Sequence, residues 1–96
     1  MLKIEHALIS EGVAAKLQRK HNLNDIEVRE ALTSNVYPRV IRRFRGQSIY
    51  QVYGRAENGR YIFCLVRDLG QGWVRVITAR QMDQRHRRYY LSQIDS

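Results

Sequence analysis

Hydrophobic positions near the start of the chain follow first a strand pattern and then a helix pattern. Leu2, Ile4 and His6 alternate with polar residues, which predicts a short strand. Between Ser10, a good N-cap, and Asn22, a good C-cap, the spacing changes to that of a helix. One face of this predicted helix carries Val13, Ala14, Leu17 and His21.

A second helix is predicted to follow almost without a linker. Asn24 and Glu27 have the three-residue separation of a capping box, which is typical of a helix start. The break marked by Asn35 and Pro38 ends an apolar stripe made of Ile26, Ala31 and Leu32.

After Pro38 the hydrophobic period shortens toward two residues, which is typical of strands. Four segments are rich in β-branched and aromatic residues, namely VIRRF, SIYQVYGR, YIFCLVRD and WVRVITAR. Asn58-Gly59 and Gly70-Gln71-Gly72 mark turns between them. YIFCLV is apolar on both faces, which places it in the middle of a sheet. The pattern predicts an antiparallel β-meander of three to four strands.

The last predicted strand leads directly into a helix. Strict alternation along residues 73–80 places Arg80 on one face together with Val74, Val76 and Thr78. The opposite face then carries Trp73, Arg75, Ile77 and Ala79, and we expect the tryptophan to be buried against a helix. Helical spacing resumes with Met82, His86, Tyr89, Tyr90 and Gln93.

Length and composition indicate a single α+β domain over residues 1–96. The chain has no apolar run of the roughly 18 residues that a membrane helix needs, and its first residues do not resemble a signal peptide. The single cysteine, Cys64, lies inside the apolar segment YIFCLV and is expected to be a buried thiol. These features predict a cytoplasmic protein.

Positive charge is concentrated in the second half of the chain. The net charge is +8, and 14 of the 17 basic residues are arginines. Residues 1–38 are neutral overall, whereas residues 39–88 carry twelve arginines and three acidic residues. Arginine is suited to two-pronged binding of phosphate, so the distribution indicates a surface for a polyanion. A basic surface that keeps the protein soluble without any ligand is the alternative.

Two stretches resemble motifs of the BrnT-type toxins of type II toxin–antitoxin systems, in the RelE/ParE-like superfamily. Lys20-His21-Asn22-Leu23 resembles their KHGV element. Residues 74–89, VRVITARQMDQRHRRY, resemble their RIISAR strand and the ER..Y helix that follows it. The resemblance extends over residues 10–90 in element order. It implies a RelE-like fold, an endoribonuclease that cleaves mRNA and inhibits translation, and a small DNA-binding antitoxin as partner.

The chain departs from the family pattern at two positions. Asn22 stands where the family has glycine, and asparagine tolerates the left-handed backbone that this position requires. His86 stands where the family has glutamate. A histidine can replace a glutamate that transfers a proton, but it cannot replace one that only forms an ion pair.

Metal-independent RNA cleavage needs a base for the 2′-hydroxyl, positive charge for the phosphorane and an acid for the leaving oxygen. We assign phosphate stabilisation to Arg80 and Arg60, and the base or acid role to His86. Tyr89, in register with the tyrosine of the family motif, is placed at the same site. A solvated histidine on a helix is the alternative for His86.

Further basic residues are predicted to bind RNA, namely Lys20, Arg55, Arg75, Arg85 and Arg88. Arg55 and Arg60 flank the turn AENG and would repel each other across the hairpin unless an anion lay between them. Solvated charge is the alternative for the helix arginines. For Arg80 the alternative is an ion pair with Glu27 or Glu30.

Other chemistries lack their residue patterns. Three scattered histidines and one cysteine give no metal-ligand spacing, and no glycine-rich phosphate loop joins a strand to a helix. We therefore predict no metal and no cofactor. The sequence favours a toxin that cleaves free or ribosome-bound mRNA and pairs with a cognate antitoxin. A non-catalytic RNA- or protein-binding module on the same fold, or a toxin relic kept for pairing, are the alternatives.

Overall fold

Among the described residues, four antiparallel strands form a meander, and a short strand extends it in parallel at one edge. A computed structural model describes residues 2–33, 36–44 and 46–94, so the break predicted at Asn35 lies outside the described residues. The sheet order is β1-β5-β4-β3-β2. The strands are β1 (His6–Leu8), β2 (Tyr37–Phe44), β3 (Gln47–Arg55), β4 (Tyr61–Gly70) and β5 (Trp73–Gln81). Within the same ranges the helices are α1 (Glu11–His21), α2 (Asp25–Thr33) and α3 (Gln84–Ile94).

The α+β class, the meander and the closing helix agree with the sequence prediction, but two boundaries were wrong. β1 begins at His6 rather than at Leu2, since this is the stretch that pairs with the start of β5. β2 begins at Tyr37, one residue before Pro38. A proline without an N–H group is tolerated there because β2 is an edge strand.

The caps predicted for the first two helices are confirmed. The Ser10 hydroxyl accepts a hydrogen bond from the Val13 N–H at 3.1 Å. Asn22 ends α1 with a left-handed backbone (φ 52°), which is the conformation expected of a residue in a glycine position. In α2, the Asn24 and Glu27 side chains each accept a hydrogen bond from the other residue's backbone N–H.

The main core lies between α1, α2 and one face of the sheet. Leu17 of α1 and Val28 and Leu32 of α2 are fully buried against the central strands. Cys64 of β4 lies in this core, as predicted, and burial raises the pKa of its thiol to about 12, so it stays protonated and inert. No helix in the described ranges is long and apolar enough to span a membrane.

The contact between α2 and β3 has no room for a side chain at Gly54. A Cβ atom at this position would overlap the carbonyl oxygen of Ala31 and crowd the rest of its backbone. Glycine at this point of β3 therefore lets the α2 backbone pack directly on the strand.

A β-bulge in β5 overturns the alternation predicted for this strand. Val76 pairs with Val66, and the next pair joins Thr78 to Leu65, so Ile77 is an extra residue on β5. Val74 and Val76 upstream of the bulge are buried in the core, and downstream of it Ala79 rather than Thr78 is buried there. Three polar side chains of β5 then share the opposite face, namely Arg75, Thr78 and Arg80.

The prediction of a buried Trp73 was also wrong. Its side chain is 40% exposed at the start of β5, and its ring stacks on His6 of β1 with 4.4 Å between the ring centres. The residue therefore covers the edge where β1 joins the sheet rather than filling the core.

A polar network joins the start of α2 to the turn between β3 and β4. Glu27 is only 7% exposed, and its Oε2 lies 2.7 Å from Arg60 Nη1 and accepts a hydrogen bond from Asn58 Nδ2 at 2.8 Å. The Arg60 guanidinium also donates to the Asn22 carbonyl at 2.9 Å. Burial would raise the pKa of Glu27, but the hydrogen bonds from Asn58, Asn24 and Arg60 outweigh it and hold the pKa below its ordinary value.

Replacing Glu27 by alanine is expected to lower the free energy of unfolding by about 2–3 kcal/mol at neutral pH. Removing one member of a fully buried ion pair costs about 3–5 kcal/mol, and the effect is smaller here because a quarter of the Arg60 side chain is exposed. A depressed pKa in the folded state means that this stability is present above the ordinary pKa of glutamate and is lost as the pH falls through the lower folded value.

Urea unfolding at neutral pH and near pH 3 measures both effects, with the exposed Glu57→Ala as a matched control. The free energy of unfolding of Glu27→Gln should differ less between the two pH values than that of the wild type does. Equal pH dependence in wild type and Glu27→Gln would show that the network does not depend on the charge of Glu27.

Candidate active site on the α3 face of the sheet

The sheet face opposite α1 and α2 carries several of the residues that the sequence placed at a site. We call it the α3 face. Strand alternation and pairing give it Tyr53 of β3, Phe63 and Leu65 of β4, and Arg75, Thr78 and Arg80 of β5. The helix α3 is anchored here by a second buried cluster made of Tyr53, Phe63, Met82 and Tyr90.

The two adjacent tyrosines of α3 have different environments. Tyr90 is 1% exposed and points into the second cluster. Tyr89 is half-buried, and its ring lies near those of Tyr37 and Tyr53, with ring centres 5.7 Å and 5.2 Å apart.

His86 is held between an aromatic ring and a carboxylate. Its imidazole stacks on Phe63 with 4.8 Å between ring centres and only 9° between the planes. Asp83 caps α3 by accepting the His86 backbone N–H at 2.8 Å, and the same Oδ1 lies 3.2 Å from Nδ1. Nδ1 is buried without a well-formed hydrogen bond to any described residue, and 19% of the side chain is exposed.

The Asp83 carboxylate stays ionised at neutral pH. The hydrogen bond from the His86 backbone, together with the charges of His86 and Arg80, lowers the pKa of Asp83. The Asp83 carboxylate beside Nδ1 also orients the imidazole ring. In this arrangement the His86 imidazole is suited to accept a proton and return it.

Several arginines around α3 lie over aromatic rings. The guanidinium carbon of Arg80 is 5.5 Å from the centre of the Phe63 ring, the same ring on which His86 stacks. The Arg39 guanidinium lies 5.6 Å from the centre of the Tyr89 ring. A ring orients a guanidinium without neutralising its charge, so both groups remain able to bind an anion.

The hydroxyl groups of Tyr37 and Tyr53 remain protonated at neutral pH. A hydrogen bond with Tyr89 raises the pKa of Tyr37, and burial raises the pKa of Tyr53. These tyrosines can donate a hydrogen bond to a phosphate or to a leaving oxygen, but they do not act as bases near pH 7.

The structure brings together only part of the predicted set. Arg80, His86 and Tyr89 all contact the aromatic cluster under α3. Arg75 lies on the same face further along β5, while Arg85 and Arg88 are exposed on α3. Lys20 is exposed on α1, on the other side of the sheet.

The sequence analysis expected Arg55 and Arg60 to face each other across their hairpin, but the structure directs them to different partners. Arg60 reaches Glu27 on the α2 side, and this glutamate is one of the two that the sequence offered as a partner for Arg80. Arg55 lies over the Tyr61 ring and donates from Nε to the Gly59 carbonyl at 3.2 Å. Arg55 pairs with Tyr61, and Arg60 is the residue just before Tyr61. Because neighbouring residues of a strand point to opposite faces, an anion cannot lie between the Arg55 and Arg60 side chains.

Sequence reasoning missed four residues that shape the site, namely Arg39, Tyr53, Phe63 and Asp83. The position of Arg39 depends on the pairing of β2 with β3, which places this residue opposite Gln51. Asp83 could have been found, because an aspartate three residues before His86 at a helix start is an N-cap signal. The described residues hold no group of three His, Cys, Asp or Glu side chains arranged to ligate a metal ion.

Comparison with known proteins identifies the fold. No family model matches the chain, and no curated protein matches it in sequence. A crystal structure of the Brucella abortus ribonuclease toxin BrnT is similar to it, with a TM-score of 0.55 and 19% sequence identity over 88% of this chain and 100% of that chain. The chain therefore has a BrnT-type toxin fold, as the motif resemblance implied.

Proposed function

We propose that this protein is a BrnT-like ribonuclease toxin that cleaves mRNA at the α3 face without a metal ion. One observation carries the proposal: the His86 imidazole, held between Phe63 and Asp83, and the Arg80 guanidinium both lie against the Phe63 ring, on the fold of a ribonuclease toxin. The group that can move a proton and the group that can stabilise a phosphorane share one aromatic support.

The residues suggest the following transphosphorylation. His86 Nε2 takes the proton of a ribose 2′-hydroxyl, and the 2′-oxygen attacks the adjacent phosphorus. The Arg80 and Arg39 guanidinium groups stabilise the negative charge that builds on the phosphoryl oxygens. The bond to the 5′-oxygen breaks, and this oxygen receives a proton from His86 or from the Tyr89 hydroxyl. The products are a 2′,3′-cyclic phosphate and a 5′-hydroxyl end.

The proposal extends to a partner and a compartment. A toxin that cleaves cellular mRNA requires neutralisation, and the arginines Arg39 and Arg80 of the α3 face suit an acidic segment of an antitoxin. RNA and antitoxin would then compete for the same charge. Both partners are expected in the cytoplasm.

Replacing Arg80 by alanine is expected to slow RNA cleavage by about 10²–10³-fold, which is typical for loss of one preorganised group that stabilises transition-state charge. The matched control is Arg19→Ala, which removes the same charge from the exposed surface of α1 on the other side of the sheet. Single-turnover cleavage of a labelled RNA measures both variants, and fluorescence anisotropy measures their RNA affinity.

The same pair of measurements separates catalysis from simple binding. A catalyst loses cleavage in Arg80→Ala while keeping most of its RNA affinity. A binding module would lose affinity with a reduced dependence on salt and would have no cleavage to lose. Equal cleavage by Arg80→Ala and Arg19→Ala would remove Arg80 from the mechanism.

A further inference from the structure

We infer that Arg67 and Arg75 form a second phosphate subsite on the α3 face, which binds the backbone of a single-stranded RNA a few nucleotides away from the reacting phosphate. This inference rests on the proposed function, because it takes RNA as the ligand. The distance between this subsite and the reacting phosphate would set the length of RNA that the enzyme prefers.

The two arginines are direct neighbours across adjacent strands. Arg67 of β4 pairs with Arg75 of β5 in the sheet register, and both side chains lie on the α3 face. Residues paired in this way have Cβ atoms about 4.5–5.5 Å apart, and like charges at this separation destabilise a sheet. Guanidinium groups on neighbouring strands can together hold one phosphate through charge-assisted hydrogen bonds.

The β5 bulge aligns this pair with the proposed active site. Without the extra residue Ile77, five-residue separation would place Arg75 and Arg80 on opposite faces of β5. With the bulge, Arg67 and Arg75 lie four β4 positions from Phe63, which pairs with Arg80. At about 3.3 Å per residue, the two sites are about 13 Å apart along the sheet.

The surface between the two sites suits a nucleic-acid strand. The pair Leu65 and Thr78 lies between them, which offers an apolar contact and a hydroxyl group. Asp68, the acidic neighbour of Arg67, is directed to the other face by alternation, and its Oδ1 accepts the Gly70 N–H at 2.9 Å. Because stacked nucleotides rise about 3.4 Å each, a separation of about 13 Å corresponds to roughly two to four nucleotides, depending on how far the strand is extended.

The test uses RNA analogues with 2′-O-methyl groups, which cannot be cleaved, in lengths from about two to about twelve nucleotides. Wild-type affinity is expected to rise in a step at the length that reaches both sites. Arg75→Glu should remove the step and lower affinity for the longer strands by about tenfold or more, with a smaller salt dependence. Because Arg75 is exposed and a glutamate there would pair with Arg67, the variant is expected to fold.

The control is Arg19→Glu, which makes the same change of charge on α1, away from the α3 face. Equal affinity of Arg75→Glu and Arg19→Glu for the long analogues would overturn the inference, as would an affinity loss of the same size at every length. Cleavage is measured separately with unmodified RNA. Wild type that cleaves RNA but shows no length step refutes only the second subsite, whereas a clear step without cleavage refutes only the nuclease.

Discussion

Replacing His86 by alanine is expected to reduce RNA cleavage by about 10²–10⁴-fold, the usual contribution of a positioned general acid or base. The imidazole lies at the α3 face with Nδ1 buried beside Asp83, and histidine is the side chain that most often serves as general acid or base. The tyrosines Tyr37 and Tyr53 cannot take over as bases, because their raised pKa values keep them protonated.

Alanine also removes the stacking contact with Phe63, so a second variant is needed to isolate the chemistry. His86→Phe keeps a ring on Phe63 but cannot transfer a proton. It should lose as much cleavage as His86→Ala while binding RNA within about threefold of wild type. His6→Phe is the matched control, because His6 also stacks on an aromatic ring but lies on β1, at the far edge of the sheet. Near-normal cleavage by His86→Phe would limit His86 to a packing role.

Gly54→Ala is expected to lower the free energy of unfolding by about 3 kcal/mol or more, the upper part of the range for overpacking. The new methyl group would overlap the backbone of Ala31, and a backbone carbonyl cannot move aside as the end of a side chain can. Relief would require α2 to move away from β3, which would open contacts in the main core. For a domain with a total stability of about 5–15 kcal/mol, such a loss is severe.

Urea unfolding measures this effect, with Gly12→Ala as the control. A Cβ at Gly12 meets no atom within 4 Å among the described residues, and alanine is a better helix former than glycine. Gly12→Ala should therefore be neutral or slightly stabilising. A Gly54→Ala protein as stable as wild type would mean that α2 does not pack on β3 as closely as described.

Much of the fold could be predicted because the local signals are strong and agree with one another. The caps at Ser10 and Asn22 and the capping box of Asn24 and Glu27 depend only on neighbouring residues, and all are present. The meander was predictable from β-branched and aromatic segments separated by glycine turns. Gly59 and Gly70 do adopt positive φ angles at those turns, 92° and 90°.

The arrangement of the site depended on features that local sequence patterns do not encode. Alternation assumes a regular strand, whereas the extra residue Ile77 moves Thr78 and Arg80 to the face of Arg75. Arg39 enters the site only through the register of β2 with β3. The ion pair of Arg60 with Glu27 joins residues 33 positions apart, and no local spacing predicts it. For this reason the motif pointed to Arg80, His86 and Tyr89, which the structure brings to one aromatic cluster, but it did not point to the residues around them.

Arginines on the two sides of the sheet have different neighbours. Arg29 and Arg60 lie near carboxylates of α2, Asp25 and Glu27, on the side of the main core. Arg39 and Arg80 lie instead over aromatic rings around α3. Guanidinium groups held over rings can still bind a phosphate, so the basic half of a small domain can serve recognition as well as solubility.

The most direct test is to incubate the purified protein with a defined RNA in EDTA, alone and with translating ribosomes, and to identify the ends of the products. We predict fragments that end in a 2′,3′-cyclic phosphate and begin with a 5′-hydroxyl, with their yield strongly reduced in His86→Phe. RNA left intact under both conditions would contradict the proposal that the α3 face is a ribonuclease site.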